Sequence, residues 1–164
     1  MKAAVIMGSK SDLPVVGKTI STLKSFGVKV EGRVLSAHRT PDEAHAFAAS
    51  AEENGVEVII AAAGKAAHLA GVLAAYTTLP VIGLPIKSST MDGLDSLLST
   101  VQMPPGIPVA TVAIDGAVNA ALLAVQILSL KYPELKTKLA AYKKDLAAKV
   151  LEADQTLQKA IDLI

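Results

Sequence analysis

The chain has 164 residues, and its formal charges nearly cancel, with 16 Lys+Arg against 15 Asp+Glu. This leaves no basic footprint for nucleic acid. The length suits one domain and argues against a cleft between two, so a site must be built from one core or shared between copies. No cysteine is present, which removes disulfides, thiolate metal sites, iron–sulfur clusters and cysteine nucleophiles together. Hydrophobic residues make up 51% but aromatic residues only 3%, and 28 positions are alanine. Such a chain packs through small side chains, or buries apolar surface against copies of itself. The first apolar run is far shorter than a signal peptide's, and no uninterrupted stretch approaches the ~20 residues needed to span a bilayer. A soluble, cytoplasmic protein without membrane contact is expected.

In chain order, apolar runs at 3–7, 28–35, 56–63, 80–84 and 109–114 read as strands covered on both faces. Segments 12–26, 41–54, 68–76, 94–101 and 118–130 between them have helical spacing. Thr40-Pro41-Asp42-Glu43 predicts a helix start with Thr as N-cap and Pro at the first helical position, and Asn54-Gly55 predicts a helix end. The alternation gives an α/β fold with a five-stranded parallel sheet. From Pro133 a long helix follows, with an apolar stripe of Leu135, Leu139, Tyr142, Leu146, Val150, Ala153, Leu157, Ile161 and Ile164. That stripe should pack on its own body or on a neighbouring subunit. The whole chain, 1–164, reads as one domain: a core over 1–130 and a C-terminal helix over 133–164.

Ligands of open parallel sheets bind beyond the carboxyl ends of the strands. After the first strand stands Gly8-Ser9-Lys10-Ser11-Asp12, which is either a phosphate cradle at a helix start or a capped glycine turn. After the second comes Ser36-Ala37-His38-Arg39-Thr40-Pro41, joining a proton-transfer side chain to one shaped for phosphate or carboxylate. After the third comes Gly64-Lys65-Ala66-Ala67-His68-Leu69-Ala70-Gly71, a turn of small residues around one imidazole. There His68 is a ligand group or a helix-start residue bonded to backbone, and Lys65 an anion contact or a surface lysine. Gly64-Lys65 is not a P-loop, since Ala66 stands where Ser or Thr is required. The hydroxyl-rich stretch from Lys87 is functional or packs an interface. His45, inside a helix, is read as structural or surface. No residues have metal-ligand spacing, and neither G-x-S-x-G nor G-x-G-x-x-G occurs.

The motifs G-S-K-S-D, S-A-H-R-T-P, A-G-K-A-A-H-L-A-G and D-S-L-L-S-T-V-Q-M-P-P-G-I-P-V-A-T-V-A-I, in unbroken order over about residues 3–130, resemble the PurE family of de novo purine synthesis. The resemblance implies a flavodoxin-like three-layer sandwich assembled as a homo-octamer, with active sites between subunits. It implies an isomerase that moves a carboxylate from N5 to C4 of an aminoimidazole ribonucleotide through carbon dioxide, with no cofactor and no metal. By motif, His38 is the implied catalytic acid/base. Ser9, Ser11, Ser36 and Arg39 hold the phosphate and Asp12 the ribose hydroxyls. Gly64, Lys65, Ala67, His68 and Leu69 complete the substrate site, and the turn from Ala66 to Leu69 confines the carbon dioxide.

Three positions depart from the family pattern. Lys65 replaces a common glycine and is similar to the basic residue of a second class, which carboxylates aminoimidazole ribonucleotide directly. Ala-Ala-His-Leu and His-Arg are kept as in the mutases, which favours the mutase. Ala70 replaces a usual proline, and the link Asp115-Gly116-Ala117-Val118-Asn119 is short. Three other readings are weaker. A non-catalytic nucleotide-binding module gives His38 and His68 no task. A purely structural assembly protein leaves all three strand-end motifs accidental. A phosphoacceptor receiver domain lacks its acidic pair after the first strand.

Overall fold

The computed structural model describes residues 1–163. Ile164, the last position of the apolar stripe, lies outside the described residues. Five strands, β1 (Lys2–Met7), β2 (Lys29–Val34), β3 (Val58–Gly64), β4 (Val81–Ile86) and β5 (Ala110–Thr111), form one sheet in the order β2-β1-β3-β4-β5, and every pairing is parallel. Six helices intervene or follow: α1 (Leu13–Ser25), α2 (Pro41–Ser50), α3 (Leu69–Ala75), α4 (Leu94–Val101), α5 (Ala117–Leu128) and α6 (Pro133–Ile161). This is the flavodoxin-like doubly wound order.

Successive side chains of a strand point to opposite faces, which divides each continuous apolar run between two cores. Ala3, Val5, Met7, Val58, Ile60, Ala62, Ile82 and Leu84 join one cluster with residues of α1, α5 and the start of α6. Ala4, Ile6, Ile59, Ala61 and Val81 join the other with residues of α2 and α3. Alanine suits both because it lets the layers approach closely. Gly83 shows the limit of that closeness, for a Cβ there would lie 2.3 Å from Thr100 Cγ2 on α4.

Two strands differ from expectation. β2 is an edge strand and mostly exposed, not covered on both faces; its Glu31 pairs with Lys2 at 2.6 Å and lies 3.8 Å from Arg33. Its sequence, Lys-Val-Glu-Gly-Arg-Val, interleaves charge with apolar residues, as an edge requires. β5 shrinks to two residues because Pro85 has no N–H to give on the β5 side. The Pro85 carbonyl accepts from Asp115 N instead.

Helix α2 ends at Ser50, and turns carry the chain to Gly55, whose φ of +78° closes the segment where Asn54-Gly55 predicted a stop. Thr40 takes the N-cap position of α2 with Pro41 following, as expected, but its side chain makes no cap bond. Its hydroxyl accepts from Ser36 N at 2.9 Å and faces the Ser36 carbonyl, so it closes the preceding loop.

α6 docks only by its first turns. Leu135 and Leu139 are buried, Tyr142 packs on Phe26 with centroids 5.8 Å apart, and Lys138 caps the end of α1 through the Phe26 carbonyl at 2.9 Å. Beyond them Leu146, Val150, Leu151, Leu157 and Ile161 are 46–69% exposed.

Candidate active site

The strand register brings the three predicted loops to one edge. Met7 at the end of β1 pairs with Val34 of β2 and Ala62 of β3, and Gly64 pairs with Ile86 of β4. The loops that follow surround a cavity of about 650 Å³. Ser9, Ser11, Asp12, Ser36, His38, Arg39, Gly64, Lys65, His68 and Leu69 all line it, as the strand-end rule requires.

After β1, residues Lys10–Asp12 form a single 3₁₀ turn with a complete capping box: Ser9 Oγ accepts from Ser11 N at 3.3 Å, and Ser9 N donates to Asp12 Oδ2 at 3.2 Å. Ser11 Oγ lies 2.8 Å from Ser9 Oγ. The capped turn is what the segment forms, and the caps that order it also fix two hydroxyls at the cavity. Burial pushes the Asp12 carboxyl above the usual carboxylate range, against the opposing hydrogen bonds from Ser9 N and the Ser11 hydroxyl.

After β2, Thr40 N donates to the Ser36 carbonyl at 2.9 Å, closing a tight loop that turns His38 and Arg39 outward. Arg39 is held at both ends of its reach. Its backbone N and Nε point at Ser36 Oγ (3.2 and 3.4 Å), and Nη2 donates to the Gly8 carbonyl at 3.2 Å. The guanidinium thus joins the first two loops and sets a fixed cation beside Ser9 and Ser11, an arrangement suited to phosphate.

After β3, Gly64 ends the strand beside Ile86 of β4. Lys65 takes φ +57°, and the turn is closed by Ala67 N to Lys65 O at 2.9 Å and His68 N to Ala66 O at 2.8 Å. Of the two alanines, Ala66 lines the cavity, whereas Ala67 is buried and does not. His68 precedes α3 but makes no side-chain cap. Its Nδ1 lies 2.8 Å from His38 Nε2, with the rings edge-on at 82°. One proton serves that contact, since two N–H groups cannot point at each other. His38 Nδ1 and His68 Nε2 make no other hydrogen bond among the described residues.

The hydroxyl-rich stretch from Lys87, expected to be functional or to pack an interface, begins at the same cavity. Ile86, Lys87, Ser88 and Ser89 also line the cavity, because β4 runs two residues past the apolar stretch that predicted it. Asp115 Oδ1 accepts from Lys87 N at 2.9 Å, and Ser88 Oγ donates to the Asp95 carboxylate at 2.8–2.9 Å. The hydroxyl-rich composition after β4, placed on the same sheet edge, was the available signal. His45 stands apart, stacked on Tyr76 with centroids 4.0 Å apart. Among the described residues no three His, Asp or Glu side chains converge as a metal cage, and no helix is long and apolar enough to cross a membrane.

One wall of the cavity thus offers hydroxyls and a fixed guanidinium for an anion, and another offers paired imidazoles beside small residues for proton transfer in a confined space. The model of the AIR carboxylase family matches residues 2–149. The chain is 64% identical over 145 residues to the N5-carboxyaminoimidazole ribonucleotide mutase of Pyrococcus abyssi, covering 88% of this chain and 83% of that one. It is 54% identical over 158 residues to the mutase of the same name from Thermotoga maritima, covering 96% and 92%. Among solved structures, Treponema denticola PurE superposes with a TM-score of 0.85 at 31% identity, covering 95% of this chain and 98% of that one.

Proposed function

The chain belongs to the AIR carboxylase family, the PurE enzymes, and from that premise we propose that it is an isomerase of purine biosynthesis converting N5-carboxyaminoimidazole ribonucleotide to its 4-carboxy isomer. The observation that carries the reading is the His38–His68 pair, 2.8 Å apart, opening on the same cavity as the Ser9, Ser11, Ser36 and Arg39 cluster. A ribonucleotide spans those two poles, with its phosphate at the serines and Arg39, its ribose hydroxyls at Asp12, and its base toward His38 and the turn Gly64–Leu69.

The chemistry then balances through one histidine. The N5–carboxyl bond breaks, its electron pair stays on N5, and protonated His38 gives N5 a proton. Carbon dioxide and aminoimidazole ribonucleotide remain side by side. The 5-amino group pushes electron density to C4, which attacks the carbon dioxide and forms the new C–C bond. Neutral His38 removes the C4 proton, so the ring regains aromaticity and His38 recovers the proton it lent. No electrons are exchanged with any other species. The small wall of Ala63, Gly64 and Ala66 suits retention of carbon dioxide, because an enclosed gas molecule held near C4 reacts as at high effective concentration.

The same reading carries a single domain, 1–164, a homo-octamer and a cytoplasmic location. The exposed apolar faces of α6 and of Leu94, Leu98 and Val101 on α4 support assembly with further copies. Lys65 favours one second reading, direct carboxylation of aminoimidazole ribonucleotide. The deciding experiment supplies N5-carboxyaminoimidazole ribonucleotide, or aminoimidazole ribonucleotide with bicarbonate, to the wild type and to His38→Asn. Efficient use of the first substrate, lost in the variant while ribonucleotide binding persists, is expected. Unchanged turnover in His38→Asn overturns the assignment, and preference for the second pair replaces the mutase by the carboxylase.

A further inference from the structure

We infer that Lys65 is the carboxylate-holding residue of this site, the group that lets it distinguish carboxylated from uncarboxylated aminoimidazole ribonucleotide. The inference rests on the proposed substrate and adds a residue role to it. Three residues other than glycine have positive φ: Lys65 at +57°, Asp92 at +52° and Asp115 at +54°. Aspartate tolerates this conformation because its short side chain can bond locally, whereas lysine has no such compensation. All three sit at the cavity or brace it. Asp115 binds Lys87 N, Asp92 pairs with the Lys87 ammonium at 3.2 Å, and Lys65 lines the cavity itself. Strain of this kind collects where surrounding structure and function hold it in place. A glycine at 65 would relieve it.

The charges of the cavity give the strain a purpose. Its basic lining residues are Arg39, Lys65 and Lys87. Arg39 is bonded to Gly8 and Ser36 at the hydroxyl-rich pole, and Lys87 is paired with Asp92. Among the described residues Lys65 has neither an ion-pair partner nor a side-chain hydrogen bond. It opens the turn that ends at His68, so its backbone stands on the imidazole side of the cavity and its stem is free to reach across that side. The proposed substrate and product each carry two anionic groups, a phosphate and a carboxylate. Arg39 answers the first, and Lys65 is the cation left to answer the second. An ammonium on a flexible stem also suits a carboxylate that changes position between N5 and C4.

The test compares binding of 4-carboxy-5-aminoimidazole ribonucleotide and of aminoimidazole ribonucleotide, by calorimetry, to the wild type, Lys65→Met, Lys65→Arg and Lys65→Gly. Lys65→Met should weaken the carboxylated nucleotide about tenfold, the scale of one charge-assisted hydrogen bond, and leave the uncarboxylated one within about twofold. Lys65→Arg should restore most of the loss. Lys65→Gly should show the same selective loss while melting about 2–4 °C higher, as relief of backbone strain requires. Equal weakening of both nucleotides, or no weakening of either, overturns the inference while leaving the mutase reading standing. Failure of the wild type to bind either nucleotide overturns both.

Discussion

At the rim of the sheet, hydrogen bonds tie the loops after β1, β2 and β3 to one another around a cavity, whereas along the outer half of α6 Leu146, Val150, Leu151, Leu157 and Ile161 are largely exposed. Both regions are exposed, but only in the first do polar side chains find partners across distant parts of the chain. Arg39 reaches Gly8, His38 reaches His68 and Asp115 reaches Lys87, each contact spanning about 30 residues of sequence. α6 has 29 residues, about 43 Å at the helical rise, and only Leu135 and Leu139 of it are buried. The contrast separates a site preorganised by local turns from a surface whose apolar content makes sense against another copy.

The largest effect expected from breaking the rim is at His38. Replacing the acid/base with Asn should lower turnover by about 10²–10⁴-fold, the usual worth of a positioned proton-transfer group, with ribonucleotide affinity nearly unchanged in a titration. The corresponding break in α6 is Val150→Glu combined with Leu157→Glu. Burying a Val or Leu contributes about 1.5–3 kcal/mol, and a charge there opposes burial further, so sedimentation should show smaller species. Far-ultraviolet circular dichroism should still report the helix and sheet of the body, because neither residue touches either core. An unchanged assembly would mean that α6 is not the contact surface.

A smaller effect sharpens the comparison at the opposite end of the sheet. Glu57 accepts from the Lys131 ammonium at 2.6 Å, the Tyr132 hydroxyl at 2.8 Å and Lys2 N at 3.2 Å, and so ties β1 and β3 to the segment that launches α6. Burial pushes its carboxyl up, but the hydrogen bonds from Lys131, Tyr132 and Lys2, with the Lys131 charge, outweigh this and hold it below its ordinary 4.5. A carboxyl lowered by folding stabilises fully above the unfolded value and loses that stabilisation as pH falls through the folded one. Glu57→Gln should therefore lower the melting temperature by about 1–3 °C at neutral pH, a partly exposed pair being worth under about 1 kcal/mol. The difference should shrink as pH falls below 4.5 and vanish once the folded-state carboxyl is itself protonated.

Much of the fold was legible because β1, β3 and β4 are covered on both faces and so read as continuous apolar runs. The candidate loops were legible for a related reason, since parallel strands deliver their carboxyl ends to one edge. β2 was legible as a strand but not as an exposed edge, although charge between its apolar residues marks one. Thr40 was legible as the N-cap position before Pro41, but not that its hydroxyl would close the preceding loop, because only the backbone decides which carbonyl or N–H the hydroxyl meets. The edge at Lys87–Ser89 and the meeting of His38 with His68 depend on strand register across distant parts of the chain. The left-handed backbone of Lys65 had no sequence signature except the glycine it replaces in the resemblance.

The most direct test of the central account is the fate of the carboxyl carbon. Wild-type protein is given N5-carboxyaminoimidazole ribonucleotide in a solution containing ¹³C-bicarbonate, and the 4-carboxy product is analysed by mass spectrometry. If the cavity retains the carbon dioxide released beside His38, the product forms rapidly and carries almost no label. Product labelled to the level of the solution would mean that carbon dioxide is drawn from the medium, and the account of a confined carboxyl transfer would be wrong.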